Sequence, residues 1–219
     1  MAQTFSRSAD TWFRAGLLSL VVLFGGTLTV AWAVARSDFL LETNRTPPQP
    51  VPFSHQHHVS GLGIDCRYCH STVEVSADAG LPPTHTCMTC HSQIWTNADL
   101  LAPVRESLAA NKPLEWQRVA RVPDYAYFRH DIHIQKGVGC NECHGRIDQM
   151  PLTYRAVKFR MELCVDCHRD PAPHLRPKSE VTNMSWVFPS DQASVGKSLA
   201  KAYHIHEPAD LTHCYVCHR

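Results

Sequence analysis

The sequence has no charge excess of either sign: 21 Lys and Arg stand against 20 Asp and Glu, a formal net charge of +1. No basic stripe or acidic tail breaks that balance, which argues against nucleic acid as a partner. Also missing are a phosphate-binding loop, a nucleophile beside a base, and paired carboxylates, so no bond-making chemistry is indicated. Hydrophobic periodicity is scarce. Apolar residues make up 44% of the chain, but a large share sits in one N-terminal run. The remainder is rich in Pro, His and short polar stretches, a poor recipe for a self-sufficient apolar core. Something other than side chains has to fill the interior.

No cysteine is left over. All ten fall into C-x-x-C pairs: Cys66/Cys69, Cys87/Cys90, Cys140/Cys143, Cys164/Cys167 and Cys214/Cys217. Behind each pair stands a histidine: His70, His91, His144, His168 and His218. Chance would produce five out of five roughly once in a million, so the pattern reads as five covalent c-type haem sites with these histidines as proximal iron ligands. Disulfides explain an even cysteine count but not the histidines. Zinc ribbons fit the spacing of the first four pairs and leave the fifth without a mate. A thioredoxin-like pair needs a βαβ context that is absent. Two propionates on each of five haems would add about −10 to the charge, leaving an acidic holoprotein.

Residues 1–36 read as a short cytoplasmic tail and a membrane anchor. Ala15 to Ala35 contains no charge and is bracketed by Arg14 and Arg36, and 21 residues span a bilayer. Ala33-Val34-Ala35 resembles a signal-peptide cleavage site, but the apolar stretch is longer than a signal core. Haem attachment at C-x-x-C-H takes place outside the bacterial cytoplasmic membrane, which puts everything after Arg36 on the periplasmic side; Arg7 and Arg14 agree with an inside N-terminus. Residues 37–52, with Pro47, Pro48, Pro50 and Pro52, read as a semi-extended tether to a haem domain over 53–219.

That domain contains a repeat. Phe53-Ser-His55-Gln-His57-His58 and Phe128-Arg-His130-Asp-Ile132-His133 share the pattern F-x-H-x-x-H, and each is followed by two C-x-x-C-H motifs, giving units 53–91 and 128–168. A truncated copy over 204–218 carries the fifth. Histidines three apart on a helix lie on one face and cannot share the single free position of one iron. His55 and His58, and likewise His130 and His133, are therefore expected to be distal ligands of two adjacent haems each. His57, opposite Ile132, is expected to be a bystander. The fifth distal ligand is open among His204, His206, Met150 and, less favoured, Met161 and His174; His85 and His213 lie too close to attachment cysteines to reach round the same haem. Residues 97–111 read as a helix with Asn97 as N-cap and Pro103 as a kink or late start. Trp116, Tyr125, Tyr127 and Phe128 are expected against haem faces. Residues 169–203 read as loop and as a candidate partner contact.

The duplicated F-x-H-x-x-H before C-x-x-C-H resembles the class III multihaem cytochromes c. Together with one N-terminal membrane helix, PLEWQRVARVPDYAYFRHDIH, GCNECHGRIDQMP and MELCVDCHR, the chain is similar from about residue 15 to 175 to the pentahaem cytochrome subunits of alternative complex III. That resemblance implies a mostly α fold with extensive coil, five haems c, and a role as electron carrier beside an iron–sulfur subunit and polytopic quinone-binding subunits in the bacterial inner membrane. It implies a monohaem cytochrome, a copper protein or a terminal oxidase as acceptor, and a methionine ligand at one haem, for which Met150 and Met161 are placed. Three rivals remain: a haem reductase of an oxyanion, a one-helix multihaem enzyme that oxidises quinol unaided, and a zinc scaffold.

Overall fold

The computed structural model describes residues 6–218, in two units, Met1–Glu42 and Thr43–Arg219. Helix α1 (Arg7–Ala35) dominates the first. Its apolar side chains, Leu17, Leu20, Val22 and Phe24 among them, are exposed all round the helix, a pattern that suits lipid and not water. At 1.5 Å per residue the uncharged stretch covers about 32 Å, the thickness of a hydrocarbon core. The hydroxyls of Thr27 and Thr29 donate back to the carbonyls of Leu23 and Gly25 at 2.8 Å, so neither is left unpaired inside the apolar stretch.

The second unit is mostly helical and rich in coil, and its described residues form no strand, only isolated bridges such as Thr43 with Arg155 and Ala126 with His218. The C-x-x-C pairs lie in α2 (Cys66–Cys69), α3 (Thr84–His91), α6 (Cys140–His144), α7 (Met161–Arg169) and α10 (Cys214–Cys217). A helical turn brings cysteines three apart onto one face. These helices are far shorter than an isolated chain can sustain. Asp65 caps α2, accepting the Arg67 N–H at 2.9 Å. The histidine doublets occupy a π-helical turn, Gln56–Gly61, with His55 at its start, and α5 (His130–Gln135).

Apolar burial is sparse and uneven. Leu175, Val181, Met184 and Ala172 cluster in one segment, while Val51, Val73 and Val104 are scattered. A unit of this length with a side-chain core would bury far more. Tyr68, Trp95, Leu100, Tyr127 and Tyr215 are exposed instead.

Three expectations change in detail. The Pro-rich stretch divides at Glu42: Thr43 and Val51 are buried in the second unit, and the Gln49 amide exchanges hydrogen bonds with the Gln117 backbone at 2.9 Å. The helix expected from Asn97 begins later, as α4 (Ala102–Ala110), because Pro103 fits only a first turn; Asn111 closes it in the left-handed conformation, φ 51°. Residues 169–203 are not simply loop. They contain α8 (Gln192–Ala202), packed on the turn Ala172–His174, and half of the buried apolar side chains. Its small residues weaken the periodic signal. Gly196 nevertheless sits where any Cβ would collide with the Ala172 carbonyl, so the close packing of α8 depends on it.

Candidate haem-binding site

Each doublet is organised by its own phenylalanine. Phe53 stacks on His58 at 4.4 Å and 26°, and meets His55 edge-on at 5.0 Å and 89°. Phe128 treats His133 and His130 the same way, at 4.5 Å and 28°, and at 4.8 Å and 88°. One ring thus sets two imidazoles at roughly right angles, aimed at different places.

The other end of each imidazole is tethered. Nδ1 of His58 donates to the Ser54 carbonyl at 2.8 Å, and Nδ1 of His133 to the Arg129 carbonyl at 2.7 Å, four residues back in both repeats. Nδ1 of His130 donates to the Ala77 carbonyl, and that of His55 pairs with the Thr153 hydroxyl, each at 2.8 Å. Four of the five histidines behind the cysteine pairs are held likewise: His70 to Gly80, His91 to Ile94, His168 to Leu211 and His218 to Tyr125, all carbonyls, at 2.7, 3.3, 3.0 and 3.0 Å. A carbonyl only accepts, so Nδ1 carries the proton and the lone pair is left on Nε2. That is how proteins orient metal-ligating histidine.

The imidazoles then pair across space. His58 and His91 have ring centroids 6.3 Å apart, His130 and His144 6.3 Å, and His133 and His168 6.2 Å. Metal–histidine bonds are about 2.0–2.1 Å and a ring centroid lies about 1.1 Å behind its nitrogen, so two imidazoles on opposite sides of one metal stand about 6.3 Å apart. The three pairs fit bis-histidine ligation of three irons. Burial lowers the pKa of His55 to about 4, and the nearby imidazoles of His70, His58 and His144 add to this. Burial also lowers His144 to about 4 and shifts His133 down. Neutral imidazoles are the form that binds iron.

A connected cavity of about 1990 Å³ is lined by the first three C-x-x-C-H motifs and both doublets. Single ligand pockets measure roughly 300–1,000 Å³, so this space suits several large flat ligands at once. Apolar and aromatic side chains such as Leu62, Trp95, Leu100, Trp116 and Phe159 complete the lining. Among the described residues no three His, Cys, Asp or Glu side chains converge as a zinc ribbon requires, and the cysteines are unpaired.

At the fifth motif the ring beside His218 is Tyr125, at 5.9 Å and 30°. Met150 is 2% exposed, and its carbonyl accepts the Gln56 N–H at 3.0 Å, beside the first doublet. Met161 is exposed at the start of α7. Lys136 Nζ donates to the carbonyls of Tyr203 and His204, which places that segment beside α5; His206 is exposed. His174 is engaged by Glu142 at 3.0 Å and His213 stacks on Tyr215 at 5.3 Å. His57 does not face an attachment histidine; it stacks on Trp95 at 5.9 Å and 28°. Sequence reasoning missed the orienting role of Phe53 and Phe128, although their identical offset in both repeats signalled it. The acceptors Ala77, Gly80, Thr153 and Leu211 carry no sequence signal, being mostly backbone.

A family model described as Cytochrome c3 matches residues 132–219. The multihaem cytochrome c subunit of menaquinone reductase from Nitratidesulfovibrio vulgaris is 29% identical over 175 residues, 78% of this chain and 77% of the relative. Cytochrome c-type protein NrfB from Escherichia coli is 26% identical over 181 residues, 75% of this chain and 91% of the relative. Residues 132–219 are thus cytochrome c3-like, and the chain has the coil-rich helical fold and motifs of a multihaem c-type cytochrome of electron transport.

Proposed function

We propose that this chain is the electron-transfer subunit of a quinol-oxidising complex of the alternative complex III kind, anchored by α1 in the bacterial inner membrane with its second unit in the periplasm. Five haems c are attached at the ten cysteines, with His70, His91, His144, His168 and His218 as proximal ligands and His55, His58, His130 and His133 as distal ligands. The observation that carries the reading is the set of paired imidazoles at 6.2–6.3 Å, each with Nε2 left free by a tethered Nδ1 where that bond is described. Two nitrogen ligands leave an iron no open position for substrate, so the chain moves electrons and makes no bonds. When bound, the haems supply reversible one-electron chemistry. The protein's part is to choose axial ligands, bury the macrocycles and hold them adjacent. His204 or His206 is favoured over Met150 as the fifth distal ligand, because Met150 lies beside the first doublet.

Partners in this reading are an iron–sulfur subunit and polytopic quinone-binding subunits, with a monohaem cytochrome, a copper protein or a terminal oxidase as acceptor. The relative named for menaquinone reductase favours a second reading in which electrons run the other way, into quinone. Affinity purification from membranes tests both. Co-purification with quinone-binding subunits, and quinol oxidation by the complex but not by the isolated chain, are expected. Unaided quinol oxidation by the isolated chain, or carbon monoxide binding to its reduced form, overturns the assignment. Net quinone reduction by the complex favours the second reading.

A further inference from the structure

We infer that the five C-x-x-C-H sites stand in one unbranched row, in the order second, first, third, fourth, fifth, so that the ends of the row are not the ends of the sequence. The inference rests on the five-haem reading above and adds the arrangement.

The junctions differ in kind. The first and second sites are joined by the His55/His58 doublet and by a hydrogen bond of 2.8 Å between the Tyr68 and Thr89 hydroxyls, which lie between the cysteines of the two motifs. The His130/His133 doublet joins the third and fourth, facing His144 and His168. First and third are joined by a reciprocal exchange. The loop after the first motif supplies Ala77, whose carbonyl accepts both Nδ1 and the backbone N–H of His130, and Ser76, which accepts the Asp131 N–H. In return the loop after the third motif supplies Thr153 to His55, the Met150 carbonyl to Gln56, and the Asp148 carbonyl to the Ser60 hydroxyl at 2.6 Å. Each repeat therefore aims the other's leading histidine, which puts the first and third sites back to back.

The two outer sites are finished differently. His168 of the fourth donates to Leu211, three residues before the fifth motif, and α7 packs on α9 (Pro208–Leu211). The Tyr127 N–H donates to the Cys217 carbonyl at 2.7 Å, fixing the fifth site to the strand-like lead into the second doublet. His91 of the second site instead donates to Ile94 in its own following turn, and the row stops there.

Electron paramagnetic resonance on the full holoprotein tests the order, after its mass has established five haems; fewer than five overturns the five-haem reading and the five-site row with it, whereas five haems in another order overturn the row alone. His55→Ala and His58→Ala each create one high-spin reporter, at the first and second sites. Loss of the third haem, by Cys140→Ser with Cys143→Ser, is expected to slow relaxation of the His55→Ala reporter and leave that of His58→Ala unchanged. Slowing of both, or of the His58→Ala reporter alone, overturns the order. If the attachment variant is not recovered, iron positions in an electron cryo-microscopy map of the unsubstituted holoprotein decide. The four shortest iron separations must be second–first, first–third, third–fourth and fourth–fifth, and any other adjacency overturns the row.

Discussion

The two repeats use the same six-residue pattern and reach nearly the same local geometry on different backbones. In the first, the doublet rides a π-helical turn; in the second, an α-helix. Even so, the phenylalanine stacks on the trailing histidine at 26° in one and 28° in the other. What diverges is the partner: His58 meets His91 at 63°, whereas His133 meets His168 at 20°. The doublet is thus a local construction that tolerates its backbone. The relative angle of the paired rings is set by a second, distant element, and it differs because His91 is tied to its own turn and His168 to Leu211.

The largest effect is expected from withholding haem. Because each repeat supplies the hydrogen-bond acceptors for the other's leading histidine, and the side-chain core is small, both should collapse together; circular dichroism of protein made without haem attachment should show no cooperative unfolding of the second unit. Survival of one repeat would show that the interlock is dispensable.

Next comes loss of one ligand. His130→Ala and His58→Ala should each turn one low-spin haem high-spin in the absorption spectrum, and His57→Ala should turn none, since His57 faces Trp95. A spectral change in His57→Ala of the same size as in His58→Ala would end the assignment of roles within the first unit.

Replacing the organising ring is milder. Phe53→Ala and Phe128→Ala should cost about 1–3 kcal/mol each, below the usual range for a fully buried phenylalanine because both are partly exposed. Matching losses in chemical denaturation would sharpen the equivalence of the repeats. A marked inequality would mean that the backbones matter after all.

The smallest effect belongs to the cap found only at the first motif. Hydrogen bonds from Arg67 hold the Asp65 carboxyl down at about 2. Its folded pKa lies below its unfolded value, so its contribution is present above about pH 4 and is lost as the pH falls toward 2. The site is half exposed, so Asp65→Asn should cost under about 1 kcal/mol at pH 7 and nothing below pH 2, as measured by denaturation across that range.

The cysteine pairs, their histidines and the repeated doublets were legible in the chain because covalent attachment and axial ligation demand fixed residue types at fixed spacing. The membrane-length run was equally plain, since length and apolarity are sequence properties. By contrast α8 went unread, its small residues signalling little until Gly196 is seen against Ala172. Which attachment histidines His58, His130 and His133 face, and that the loop of one repeat steadies the leading histidine of the other, could come only from the tertiary structure. Those contacts run through main-chain carbonyls such as Ala77, Gly80 and Leu211, and every residue type has a carbonyl, so nothing in its identity announces where it will point.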